Sequence, residues 1–189
     1  MRLRVTRNLY EYWDGLKGER SAPDRAEIDP LAIRHILADT FIIEADADRP
    51  FPLRLCGARI NALWLKEQKG HHFLSWWTGR HQEEIAEAIR KVINDGIPIV
   101  AYAQAGAEEE NAAEFELLLL PLRHFGKSHS RVLGSLAAVR PLPWLGICPV
   151  GPLDLLATRA ANENDAAKTS KDGWRRRRTA GRASLAVRA

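Results

Sequence analysis

The amino-acid sequence predicts an α+β fold, in which one five-stranded sheet is covered by helices on one face. Apolar residues recur at helical spacing near the N-terminus and, most regularly, over residues 82–94. Five short segments have the alternating or β-branched pattern of strands. The helical segments fall before the first strand and between the second and the third, an arrangement typical of one sheet with a single covered face.

The N-terminal helix has one apolar face. Four large side chains recur at positions i, i+3, i+4 and i+7. They are Leu9, Tyr12, Trp13 and Leu16. A lone helix cannot leave such a face in water, so we expect it to pack on the sheet and to take part in a homodimer.

A second helix is expected after a turn. Asp29 is placed to cap it, and Pro30 suits its first position because the N–H that proline lacks would be unsatisfied there. Its apolar stripe comprises Ile33, Ile36 and Leu37. The β-branched and aromatic run at 41–45 then predicts the first strand.

Periodicity predicts the remaining strands. Leu53 and Leu55 alternate with Arg54 and Cys56, which indicates a second strand over residues 51–60 that forms a hairpin with the first. After one or two short helices and the long helix come three more strands, at residues 97–104, 114–122 and 132–139.

One proline interrupts the fourth predicted strand. Pro121 cannot donate a ladder hydrogen bond, so it indicates an edge, a bulge or the end of that strand.

The chain is expected to form one domain. Its length suits a single core of ordinary size. We expect a helical cap over residues 1–40, a core over residues 41–146, and an extended segment with a flexible basic tail over residues 147–189. The longest apolar run, residues 117–120, is too short to cross a bilayer, and no secretory signal is visible, so a cytoplasmic location without membrane contact is expected.

The basic charge of the chain is concentrated at its C-terminus. The formal net charge is +4, but residues 162–189 contain eight basic and three acidic side chains, a net of +5, which leaves the rest near neutral. Phosphate contacts through Arg175, Arg176, Arg177 and Arg178, with Trp174 stacking on a base, would make the protein a nucleic-acid-associated accessory protein. The alternative is a solvated tail.

No motif in the sequence supports catalysis. Gly126-Lys127-Ser128 ends like a phosphate-binding loop, but Pro121 stands where the earlier glycine belongs. The histidines lack the spacing of a metal site, so no metal is expected. We therefore expect the protein not to be an enzyme.

Six stretches of sequence together resemble a family of bacterial single-domain PAS proteins that was long known only as a domain of unknown function. The resemblance covers roughly residues 5–150. The stretches are residues 9–20, 21–44, 51–64, 69–77, 117–122 and 131–146. Residues 65–68, Leu-Lys-Glu-Gln, depart from the family pattern, in which a glycine is expected nearby.

The resemblance implies a function as well as a fold. It implies a five-stranded antiparallel sheet with helices on one face, a helical N-terminal extension and a sensory or signalling role through contact with a protein partner. Because no kinase, cyclase or DNA-binding domain is visible in the sequence, we expect no catalytic output domain. It leaves the cofactor unknown. Some PAS proteins hold haem, for which His72 and His81 are the nearest candidates, but haem is not expected. The Asn-Cys-Arg motif of flavin-adduct PAS domains is absent.

Aromatic side chains are candidates for lining a small-molecule cavity. These candidates are Trp64, Phe73, Trp76 and Tyr102. Arg54 would meet a ligand carboxylate if it faced inward. The alternatives are that the aromatic side chains form the core itself and that Arg54 pairs across the strands in solvent.

Overall fold

The computed structural model describes residues 1–45, 51–106, 112–124 and 127–162, except for the side chains of residues 127–129. A six-stranded sheet is its central feature, with neighbouring strands antiparallel in the order β2-β1-β5-β4-β3-β6. The α+β fold class is confirmed. The strands are β1 Thr40–Glu44, β2 Leu53–Cys56, β3 Ile99–Ala105, β4 Ala113–His124, β5 Lys127–Ala138 and β6 Asp154–Ala160.

Within the described residues, three α-helices and three 3₁₀ helices surround the sheet. The longest, α3, is followed by Gly96, whose φ of 68° is the left-handed conformation that glycine adopts readily and that ends the helix. The α-helices are α1 Arg4–Lys17, α2 Ala58–Leu63 and α3 Gly79–Asp95, and the 3₁₀ helices are Arg25–Glu27, Leu37–Asp39 and Phe73–Trp76. Among the described residues no helix has the length and apolar character needed to span a membrane.

Both faces of the sheet are covered. One face, which we call the inner face, packs against α2, α3 and the 3₁₀ helix Phe73–Trp76. The other, the outer face, packs against α1 and residues 22–36. In β4, Leu117 therefore lies in the inner core and Leu118 in the outer core. The expectation of a single covered face was wrong, because α1 folds back over the second face.

The sixth strand lies in the segment that was expected to be extended and outside the core. β6 pairs with β3 from Ile99 opposite Ala160 to Gln104 opposite Asp154. Leu155 packs in the inner core, whereas Leu156 is 52% exposed. Because one face of this edge strand points to water, its sequence lacks the apolar signal of the central strands.

Turns replace the predicted second helix. The Asp29 carboxylate accepts the N–H of Leu31 at 2.9 Å, and the Tyr12 hydroxyl accepts the N–H of Asp29 at 2.7 Å. These bonds hold the chain in turns because they satisfy the backbone locally. Ile33 and Ile36 are nevertheless buried in the outer core, as the apolar pattern predicted.

A β-bulge at Arg54 reverses the predicted alternation of β2. Ile42 lies opposite Leu55 and Ile43 lies opposite Leu53, so that Arg54 is the extra residue. Leu53 consequently packs in the inner core, while Leu55 packs against the outer core.

Pro121 lies within β4, which continues to His124. The pairing of β3 with β4 begins at Ile99 opposite Leu119, so Pro121 lies beyond the end of this neighbour. Its carbonyl oxygen instead accepts the indole N–H of Trp13 at 2.8 Å. Proline is tolerated at this position because β3 does not extend past it, so the N–H that proline lacks has no β3 partner there.

We predict that Gly134→Ala destabilises the fold. A Cβ atom at Gly134 would lie 2.2 Å from the ring of Phe41 and 2.8 Å from the carbonyl oxygen of Leu118. Relieving this overlap should lower the free energy of unfolding by about 2 kcal/mol, measured by urea denaturation. Gly79→Ala is the matched control, because nothing lies within 4 Å of its Cβ position. Equal stability of the two variants would contradict this account of the inner face.

Candidate functional site

An aromatic cluster packs on the inner face beside α2. The rings of Trp64 and Trp76 stack with centroids 4.6 Å apart, and Phe73 lies 4.8 Å from Trp76. Phe41 of β1 meets Trp76 edge-on at 5.5 Å. Phe73 and Trp76 are at most 1% exposed, whereas Trp64 is partly exposed. Offset and edge-on contacts of this kind are the favourable arrangements of aromatic rings.

A buried glutamine fastens the loop over this cluster. Gln68 is 1% exposed, and its side-chain oxygen accepts the indole N–H of Trp76 at 2.9 Å. Its backbone N–H donates to the Asn61 side chain at 3.0 Å. Sequence reasoning did not single out Gln68, although it lies in the stretch that departs from the family pattern. In that stretch Leu65 has a φ of 54°, a conformation usually occupied by glycine.

The structure brings together three of the five cavity candidates. Trp64, Phe73 and Trp76 share the inner face, but Tyr102 lies on the outer face because Ala101 and Ala103 take the inward positions of β3. On the outer face, the guanidinium of Arg2 lies 4.5 Å from the Tyr102 ring centroid. The expected grouping of Tyr102 with the other aromatic residues was therefore wrong.

Arg54 also lies away from the aromatic cluster. Its exposed guanidinium forms an ion pair with Glu44 of the neighbouring strand, and Glu44 forms a second ion pair with Arg131 of β5. This is the cross-strand pairing that the sequence left open as an alternative. Arg54 lines a cleft of about 660 Å³ on the outer face, beside residues 24–26.

The apolar face of α1 is docked on the outer face of its own sheet. Leu9 and Trp13 are 0% and 1% exposed, while Tyr12 and Leu16 are partly buried. Leu9 and Trp13 therefore cannot contact a second copy while α1 stays docked. The homodimer itself stays a prediction.

A buried carboxylate holds the N-terminal end of α1. Glu116 of β4 is 0% exposed, and it accepts the N–H groups of Arg2 at 2.7 Å and Leu3 at 3.0 Å. These amides precede the helix, where a negative charge is favoured. Sequence reasoning missed Glu116, although one acidic residue inside an apolar strand is a detectable signal.

In the described part of the chain, no group of three or more His, Cys, Asp or Glu side chains is placed to hold a metal ion. Burial raises the pKa of the Cys56 thiol to about 12, which disfavours the reactive thiolate. His72 is exposed, and His81 lies 3.7 Å from the carboxylate of Asp154. Trp174 and the arginines at 175–178 lie outside the described residues.

Comparison with known proteins identifies the family. A family model for the PAS domain matches residues 1–137. The chain therefore belongs to the PAS domain family, whose members are generally sensory rather than catalytic and commonly mediate protein contacts or bind small ligands. Its fold is that of a sensory or regulatory module. No curated protein matches the sequence.

Three solved structures illustrate the fold-level likeness. The PAS domain of a protein from Colwellia psychrerythraea is 12% identical, with 59% of this chain and 98% of that chain covered and a TM-score of 0.44. A Rhodobacter sphaeroides LOV protein is 14% identical, with 54% and 59% covered and a TM-score of 0.43, so the match spans less than two thirds of that protein. An RNA-binding light-oxygen-voltage receptor is 18% identical, with 62% and 36% covered and a TM-score of 0.44.

We predict that Glu116→Gln loosens α1 from the sheet. The amide retains one acceptor but loses the charge that both backbone N–H groups contact. The free energy of unfolding should fall by about 1–3 kcal/mol in urea denaturation. Glu114→Gln, at an exposed position of the same strand, should be neutral. If both variants lose the same stability, the carboxylate does not hold the helix.

Proposed function

We propose that the protein is a cytoplasmic regulatory module that acts through contact with a protein partner and catalyses no reaction itself. The observation that supports this proposal most is the aromatic packing on the inner face. Four ring pairs there have centroids 4.6–5.5 Å apart, which leaves little room for a ligand between the rings and favours signalling through the protein surface.

The proposal includes self-association through one flank of α1. Tyr12 and Leu16 lie one turn apart on the helix and are partly buried. The hydroxyl of Tyr12 is hydrogen-bonded to Asp29, two residues before Leu31, which is 71% exposed. Tyr12, Leu16 and Leu31, here called the α1 flank, are the side chains that we propose a second copy covers.

We predict that Leu31→Lys weakens the homodimer. Light scattering at tens of micromolar should show a wild-type dimer and a mainly monomeric variant, because a lysine ammonium is costly to desolvate in an apolar contact. Ile147→Lys is the matched control, since Ile147 is 73% exposed and lies after β5, outside the α1 flank. Trp13→Ala is less informative, because it removes a buried side chain and would test folding. A monomeric wild type would rule out the self-association.

A ligand-binding sensor is the second candidate function, and it is supported by the position of Trp64. Trp64 is the partly exposed member of a stacked pair, so displacing it would open a path to Trp76. The displaced stack would lose about 1 kcal/mol, which a well-fitting ligand can offset.

We predict that freshly purified protein retains no molecule on the inner face. Denaturing mass spectrometry should find only the chain, and the absorption spectrum should contain only aromatic bands, because the aromatic side chains pack against one another where a ligand would lie. A retained haem, flavin or metabolite would favour the ligand-binding sensor. Repeating the measurement on Trp64→Ala would then show whether the ligand lies against Trp76, since loss of its cover should change the retained amount.

A further inference from the structure

The cleft on the outer face combines an apolar floor with a cationic rim. Ile42 of β1 and Leu55 of β2 belong to the floor, and Arg25, Arg54 and Arg131 contribute guanidinium groups. The volume of about 660 Å³ lies within the usual range for small-molecule sites, roughly 300–1,000 Å³. The bulge at Arg54 is what places Leu55 on this face.

The charges around the cleft do not balance. Glu44 lies between Arg54 and Arg131, so one carboxylate serves two guanidiniums. The Asp24 carboxylate accepts the N–H of Ala26 at 2.9 Å and caps the turn. Arg25 has no ion pair with another described residue. Three guanidiniums thus face two carboxylates, and one positive charge remains for a ligand.

The Glu44–Arg131 pair is mostly buried, which leaves Arg54 as the more mobile partner of Glu44. The side chains of Glu44 and Arg131 are only 16% and 14% exposed, so solvent screens them weakly. The Arg54 side chain is 58% exposed and can turn toward a ligand while Glu44 retains its ion pair with Arg131. Guanidinium groups suit a carboxylate because their parallel N–H groups match its two oxygens.

We propose that this cleft binds a small organic acid, with its apolar body on Ile42 and Leu55 and its carboxylate held by Arg25 and Arg54. The site is separate from the inner aromatic cluster and from the α1 flank. It does not depend on the proposed self-association, because it is formed within one chain.

Calorimetry with a matched pair of probes tests the charge requirement. The acid probe is 1-naphthaleneacetate, and the neutral probe is 1-naphthaleneacetamide, which has the same apolar body and nearly the same shape. The full chain should bind the acid, and the amide should bind at least about tenfold more weakly, since it lacks the charge-assisted contacts. Equal binding of the two probes, or no binding of the acid, would overturn the proposal.

Arginine variants locate the bound acid. Arg25→Gln and Arg54→Gln should each weaken acid binding about tenfold and leave the melting temperature near the wild-type value, because both side chains reach solvent. Arg90→Gln is the control, an exposed arginine of α3 that pairs with Glu83 and should bind the acid like wild type. If Arg25→Gln and Arg54→Gln bind as tightly as Arg90→Gln, the acid binds elsewhere and the proposal fails, whereas the self-association measurement is unaffected.

Discussion

The burial of β4 on both faces is the constraint on which the rest of this structure depends. The strand lies between β5 and β3, with α3 against its inner face and α1 against its outer face. Leucine can occupy consecutive positions there because every side chain meets a packed layer. The polar features of the outer layer follow from this arrangement. Glu116 is tolerated because the amides at the start of α1 satisfy it, and the Pro121 carbonyl finds a partner in Trp13.

The inner and outer faces contribute differently to function. Stacked aromatic rings and the Gln68 loop lie on the inner face next to α2, so a small molecule entering between the rings would have to displace a side chain. The outer face is divided between the docked α1 and the cleft beside Arg54. As proposed, the ligand would bind in the cleft beside Arg54 and the partner at the α1 flank, both on the outer side of the sheet.

A single inserted residue shapes the outer cleft. Because Arg54 is a bulge, the alternation of β2 is offset, and Leu55 joins the outer layer instead of following Leu53 inward. The same bulge leaves the Arg54 guanidinium at the strand edge, where it shares Glu44 with Arg131. Bulges commonly redirect side chains next to binding sites, and this one provides both the floor and part of the rim.

The sequence by itself determined the α+β class, the long helix and five of the strands, because these depend on local periodicity, and its matching stretches indicated the PAS family. It also identified the apolar face of α1 and the aromatic residues near the inner core. Only the tertiary structure decided which face each residue joins. Tyr102 lies on the outer side of the sheet, and the bulge at Arg54 shifts the alternation of β2 by one residue. β6 forms because it pairs with the edge of β3 through backbone hydrogen bonds. Such choices depend on contacts between residues distant in sequence, which no local pattern records.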